Sequence, residues 1–151
     1  KSLKKIIRTI TVSKISLRYA LAKFYLIDFA LKGAKDPINE FIKKFKKNSS
    51  FKTIIHDIKK IKKFKSKFHP ITVKKLGMAC SYPGTFNSSI YTIVNSKNYK
   101  DAILKTIKAG GCNCSRANFT GAYFAALKGI NAVPNSWIKK TIPAKKILNQ
   151  K

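Results

Sequence analysis

Acidic residues are scarce in this sequence of 151 residues. Five Asp and Glu residues stand against 33 Lys and Arg residues, so the net charge is +28 at pH 7, and no acidic residue follows Asp101. Such an excess of one sign favours weak, salt-sensitive and nonspecific binding of polyanions. Only three of the basic residues are arginine, whereas base-reading surfaces rely on bidentate arginine contacts. We therefore interpret the charge first as a compositional bias and second as a nucleic-acid footprint.

Long apolar segments are absent as well. No window approaches the ~20 apolar residues of a membrane span, and residues 1–15 lack the continuous apolar core of a signal peptide. The three cysteines, Cys80, Cys112 and Cys114, form no disulfide framework, and their odd number favours a reducing compartment. We expect an intracellular, cytoplasmic protein that does not contact a membrane. The sequence gives no indication of an oligomeric state.

Alternation of apolar and polar residues is too short anywhere to predict a strand, whereas apolar residues recur at helical spacing along most of the chain. The clearest run lies between Ser13 and about Lys32. Further helices are predicted after Asp36-Pro37, after Asn48-Ser49-Ser50, and from Thr72 to Met78 behind a break at His69-Pro70. Two more are predicted after a turn at Pro83-Gly84, ending near Asn95, and after Asn98. We expect 1–151 to form a single all-α domain, with residues 1–12 disordered.

A glycine pair marks a corner between two of these helices. Gly110 and Gly111 are predicted to end the helix that begins near Asn98, because glycine adopts a left-handed backbone without steric cost. Asn113 or Ser115 is predicted to cap the next helix. Backbone N–H groups and side chains then meet at one helix N-terminus, which suits a metal, a phosphate or a substrate oxygen. The alternative is a corner that serves packing alone.

This corner and the residues after it resemble the C-terminal signature of the ADP-ribosylglycohydrolase superfamily. The signature is a Gly-Gly-Asp-x-Asp-Thr/Ser corner, a helix of small residues, and then Gly-(Ile/Leu)-x-x-(Ile/Val)-Pro-x-x-Trp. The matching positions here are Gly110, Gly111, Ser115, Gly121, Gly129, Ile130, Pro134 and Trp137. Residues 76–84 also resemble the family, so that the resemblance covers roughly 67–140. It implies an all-α, ADP-ribosylglycohydrolase-like helical bundle.

The resemblance implies a hydrolase of ADP-ribose linkages that depends on Mg²⁺ or Mn²⁺. In the family, the two corner aspartates and the following Thr or Ser ligate paired metal ions, and a Gly-Asp-(Ala/Ser)-x-Gly motif near the N-terminus supplies further ligands. In this sequence Cys112 and Cys114 stand at the aspartate positions, and Ser115 alone keeps a matching oxygen. Thiols are soft donors that match Mg²⁺ poorly.

The N-terminal metal motif is absent, and the sequence begins at Lys1 without an initiator methionine. We therefore expect the C-terminal portion of a fold that is truncated at its N-terminus. As this fragment it is expected to bind no metal and to be inactive as a hydrolase, so we name no catalytic residue.

Three alternatives to hydrolysis stay open. The first is a non-catalytic module that binds ADP-ribose, an ADP-ribosylated substrate or a nucleotide. Its candidate binding residues are Gly110, Gly111, Asn113, Arg116 and Asn118. The second is a structural module comparable with the crystallins that share this fold, and the third is a cationic protein that binds polyanions.

The thiols and aromatic residues near the corner suggest further roles that we do not favour. Cys80, Cys112, Cys114 and His69 form a possible zinc set, although Cys-x-Cys is not the usual spacing. A thiolate at the helix N-terminus beside Arg116 is a possible nucleophile, but it lacks an evident base. Aromatic side chains that could stack on adenine are more simply explained by core packing: Tyr82, Phe86, Phe119, Tyr123, Phe124 and Trp137.

Overall fold

The computed structural model describes residues 2–64 and 69–149, and every regular element within these ranges is helical. The α-helices are α1 (Ser2–Ile10), α2 (Lys14–Leu31), α3 (Pro37–Phe45), α4 (Lys52–Lys62), α5 (His69–Leu76), α6 (Gly84–Val94), α7 (Tyr99–Lys108), α8 (Asn113–Lys128), α9 (Asn135–Lys140) and α10 (Ala144–Leu148). Short 3₁₀ turns occupy Ser49–Phe51 and Ile130–Ala132. The expected all-α fold is confirmed. None of the described helices is long and apolar enough to cross a membrane.

Side-chain caps fix the starts of three helices where the sequence predicted them. Ser13, Asp36 and Asn98 each accept a hydrogen bond from the backbone N–H three residues further on, at 3.2, 2.9 and 2.9 Å. Such a bond satisfies one of the N–H groups that a helix leaves free at its first turn. Pro37 occupies the first position of α3, where its missing N–H is not needed. The predicted starts of α2, α3 and α7 are confirmed.

The predicted chain break at His69-Pro70 is wrong. α5 begins at His69 and ends at Leu76, so that Pro70 lies in the first turn and Thr72 is buried inside the helix instead of capping it. Proline is tolerated there because the first turn has no intrahelical acceptor for its missing N–H. The lysine-rich residues 65–67 lie outside the described residues. At the N-terminus, the segment 1–12 that was expected to be disordered contains α1, which packs on α2.

α8 is the central helix of the fold, and it packs against α2, α6 and α7. Its buried face carries Phe119, Tyr123 and Phe124. On the side that meets α7, a Cβ built on Gly121 would lie 3.4 Å from the Ile103 side chain, about van der Waals contact, so the two helices pack closely there. Most of the aromatic set near the corner therefore packs in the core, as expected, while Trp137 is partly exposed.

Candidate functional site

The glycine corner between α7 and α8 forms as predicted. Gly110 and Gly111 have φ values of +74° and +67°, the left-handed region that glycine adopts without strain. The predicted cap of α8 is wrong, because Cys112 occupies the N-cap position and no side chain caps the helix there. Asn113 is instead the first residue of α8, and the Ser115 hydroxyl lies 3.1 Å from the Cys112 sulfur. The corner therefore has free N–H groups at its helix N-terminus.

The loop between α5 and α6, residues 77–83, lies directly against this corner. The Met78 carbonyl accepts a hydrogen bond from the Cys112 backbone N–H at 2.8 Å. A Cβ built on Gly111 would come within 2.6 Å of the Met78 Cβ, so only glycine allows this approach. At the base of the loop, a Cβ on Gly77 would lie 2.6 Å from the Gly84 Cα. These glycines allow the loop to approach both the corner and the start of α6 more closely than a residue with a Cβ would permit.

Arg116 holds the loop and the corner together from inside. Its side chain is fully buried, and its guanidinium donates to the carbonyls of Met78 (3.0 Å), Thr106 (3.4 Å) and Gly110, and to the Asn113 side-chain oxygen (3.0 Å). Burial without a carboxylate among these partners lowers the pKa of Arg116. The expected role of Arg116 in anion binding is corrected, because its donors face the protein backbone. The Asn113 side-chain oxygen accepts from Arg116, so it likewise faces the protein and not a ligand.

A disulfide bond joins the loop to the corner. It links Cys80 to Cys112 across 32 residues of sequence, with the two Cα atoms 5.7 Å apart. The expectation that the cysteines form no disulfide is therefore wrong. Sequence counting missed this pair because the partners meet only when α6 and α7 bring the loop back to the corner. Cys114 remains a free, exposed thiol.

A cavity of about 420 Å³ opens beside the disulfide. It is lined by Lys23, Cys80, Tyr82, Thr85, Cys114, Ser115 and Asn118. Of the predicted site residues, Cys114, Ser115 and Asn118 thus line one cavity, whereas Gly110, Gly111, Asn113 and Arg116 are not among its lining residues.

Lys23 of α2 supplies the cation of this cavity. Its Nζ lies 5.1 Å from the ring centroid of Tyr82 and 5.2 Å from that of Phe119. Burial lowers the pKa of Lys23 to about 8, so the amine is still mostly protonated at pH 7. Sequence reasoning missed Lys23 because it is one of many lysines and lies far from the corner along the chain.

The donors at the corner do not fit the paired Mg²⁺ or Mn²⁺ ions of the resemblance. The Cys112 sulfur is part of a disulfide, Cys114 offers a soft thiol, and Ser115 supplies a single hydroxyl. Among the described residues, no group of three or more His, Cys, Asp or Glu side chains is placed to hold a metal ion. The zinc set is not assembled either, because His69 is hydrogen-bonded to Thr92 at 3.1 Å.

Comparisons with known proteins agree with the resemblance. The family model for ADP-ribosylglycohydrolase matches residues 13–149. Crystallin J1A of Tripedalia cystophora is 38% identical over 69 residues, which cover 46% of this chain and 21% of the crystallin. Crystallin J1B of the same animal is 30% identical over 76 residues, 50% of this chain and 24% of the crystallin.

The matched part thus spans only a fifth to a quarter of these relatives' length. No solved structure matches the chain. Because the family model covers nearly the whole sequence and the helical fold agrees with it, the chain belongs to the ADP-ribosylglycohydrolase family.

Proposed function

We propose that this chain is a metal-deficient, non-catalytic member of its family that binds ADP-ribose or a related nucleotide in the cavity beside Cys80. The observation that carries the proposal is the donor set of the corner. A disulfide and a thiol stand where the resemblance calls for two carboxylates. Hydrolysis through paired hard metal ions needs oxygen ligands, so this chain by itself is not expected to catalyse it.

The lining of the cavity supports binding of a small anionic ligand. A volume of about 420 Å³ lies within the range of small-molecule sites. The Lys23 amine can attract a phosphate, and the Ser115 hydroxyl and Asn118 amide can hydrogen-bond to oxygens. Tyr82 adds an aromatic wall whose hydroxyl is held in the neutral form, because burial raises its pKa. Together these groups offer a cation, neutral hydrogen-bonding groups and an apolar surface.

A structural role without a ligand is the second candidate. It is favoured by one observation, which is that both curated relatives are named crystallins. The third candidate, binding of polyanions in general, rests on the net charge of +28 alone. The three candidates predict different results for a binding titration with a small nucleotide.

Calorimetric titration with ADP-ribose distinguishes them. Each titration is run with and without Mg²⁺ and at two salt concentrations, and an ADP-ribosylated peptide is incubated with the protein to detect released ADP-ribose. We expect saturable binding that persists at the higher salt concentration, does not need Mg²⁺ and produces no turnover. Lys23→Gln should weaken binding, whereas Lys100→Gln, an equal charge change on the exposed side of α7, should not.

Other results would contradict the proposal. Absence of binding would favour the structural candidate, and binding that disappears with salt would favour simple charge attraction. Magnesium-dependent binding or measurable release of ADP-ribose would show that the corner still holds the metals.

A further inference from the structure

The two sulfurs of the disulfide lie in different surroundings. Cys80 is exposed on the loop between α5 and α6 and lines the cavity, whereas Cys112 is partly buried at the start of α8 and is not among the lining residues. A thiolate attacks a disulfide at the sulfur that it can reach. Cys80 is therefore the more accessible of the two for attack from solvent.

Cys112 is placed to leave as a thiolate when Cys80 is attacked. Its sulfur lies 3.1 Å from the Ser115 hydroxyl, which can donate to a newly formed thiolate. It also occupies the N-cap position of the 16-residue helix α8, whose first N–H groups have no side-chain cap. Both features stabilise negative charge on this sulfur.

The geometry points to a redox-active disulfide that exchanges with low-molecular-weight anionic thiols, with Cys80 as the sulfur attacked and Cys112 as the leaving thiolate. The external thiolate forms a bond to the Cys80 sulfur, the bond between Cys80 and Cys112 breaks, and its electron pair stays on Cys112. A second thiol then attacks the external sulfur of the adduct, which releases an external disulfide and the Cys80 thiolate. Two external thiols are oxidised, and the protein disulfide is reduced to two thiols.

Lys23 selects among external thiols. Its amine lines the same cavity as Cys80, so a thiol that carries carboxylates is attracted to the attacked sulfur, whereas a cationic thiol is repelled. The exchange requires neither ADP-ribose nor a metal, although it uses the same cavity as the proposed nucleotide binding.

The loop does not depend on the disulfide for its position. The Met78 carbonyl accepts from the Cys112 backbone N–H at 2.8 Å and from Arg116 at 3.0 Å. Neither hydrogen bond involves a sulfur, so we expect both to persist when the sulfurs separate. The exchange is therefore expected to proceed in the folded protein.

Peptide mapping of the purified, oxidised full-length chain tests the proposal. The protein is exposed briefly to reduced glutathione under native conditions, remaining thiols are trapped by alkylation, and digests are analysed by mass spectrometry. We expect the glutathione adduct on Cys80 and the alkylated thiol on Cys112, with at least about ten times less of the reverse pattern. Cys114→Ser is mapped in parallel because it removes the free thiol to which the glutathione on Cys80 could transfer, and in this variant too the adduct is expected on Cys80.

Two variant pairs test the assigned roles. Ser115→Ala should slow the reaction about three- to ten-fold through loss of a hydrogen bond to the leaving thiolate, and Ser115→Thr should restore the rate. Lys23→Gln should lower the rate ratio of glutathione to cysteamine, whereas Lys100→Gln should leave it unchanged. Circular dichroism before and after reduction should show a folded chain.

The proposal is overturned if the oxidised protein contains no Cys80–Cys112 linkage, or if adducts form equally on both sulfurs or mainly on Cys112. It is also overturned if the disulfide reacts only after denaturation. Nucleotide binding is measured separately by calorimetric titration of the untreated protein, so failure of this proposal and failure of the proposed function are distinguishable.

Discussion

Replacement of Arg116 should destabilise the protein more than replacement of any exposed basic residue. The side chain is fully buried, and three backbone carbonyls and one amide oxygen accept its hydrogen bonds. Arg116→Ala removes these donors and leaves a cavity at the junction of α7, α8 and the 77–83 loop.

The size of the effect follows from opposing contributions. A hydrogen bond from a charged donor contributes about 1.5–3 kcal/mol in proteins, but the desolvation of an unpaired guanidinium offsets part of that sum. We expect Arg116→Ala to lower the free energy of unfolding by about 3–5 kcal/mol. For a domain whose whole stability is about 5–15 kcal/mol, this is a large fraction.

Urea denaturation at 25 °C, followed by circular dichroism with the disulfide intact, measures this difference. Arg116→Met keeps most of the volume without the donors, so its loss should be smaller than that of Arg116→Ala and the difference reports the packing contribution. Arg8→Ala on the exposed side of α1 is the control and should change stability by no more than about 0.5 kcal/mol. If Arg116→Ala differs from the parent by no more than Arg8→Ala does, the carbonyl contacts contribute no net stability.

Two further predictions concern the loop and α5. Gly77→Ala should lower the free energy of unfolding by about 2–4 kcal/mol in the same urea assay, because φ is +118° and the new Cβ would meet the Gly84 Cα at 2.6 Å. Gly33→Ala, with φ of +81° and open space around it, is the control for backbone strain alone and should lose only about 1–2 kcal/mol; equal losses would refute the close approach. For His69, burial first, and then the charges of Lys105 and Arg116, lower the pKa from 6.5 to about 4. The unfolded chain therefore binds a proton that the folded chain excludes, so this residue decreases stability as pH falls from 6.5 towards 4. NMR titration of the imidazole should give a midpoint near 4, and a midpoint near 6.5 would show that its surroundings do not disfavour the imidazolium.

Local signals made much of the fold predictable. Ser13, Asp36 and Asn98 each accept a hydrogen bond from a backbone N–H only three residues away. Their capping roles could therefore be predicted from the adjacent residues of the sequence. The left-handed backbone of Gly110 and Gly111 could likewise be predicted from the two glycines themselves. The cap of α8 was wrongly predicted because the Asn113 side chain accepts from Arg116 and the Ser115 hydroxyl lies against the Cys112 sulfur, so neither caps a backbone N–H. Arg116 also donates to the Met78 carbonyl of the docked loop, which lies outside the local pattern.

The candidate site was less predictable because its contacts span the chain. The bond from Arg116 to Met78 crosses 38 residues, the disulfide crosses 32, and Lys23 reaches the cavity from α2. A sequence pattern identifies Arg116 as a cation at a helix start, which suggests anion binding. Only the packed structure shows that the two terminal nitrogens of Arg116 already donate to backbone carbonyls and to the Asn113 side chain.

The shared carbonyl of Met78 has a consequence for how the molecule opens. Because this one oxygen accepts from both Cys112 and Arg116, the loop cannot lift without breaking contacts of the corner, and the corner cannot loosen without releasing the loop. The segments around residues 77–83 and 109–116 therefore behave as one cooperative opening unit, whose backbone amides exchange with solvent together. Their slowest exchange rate is determined by the joint release of both segments.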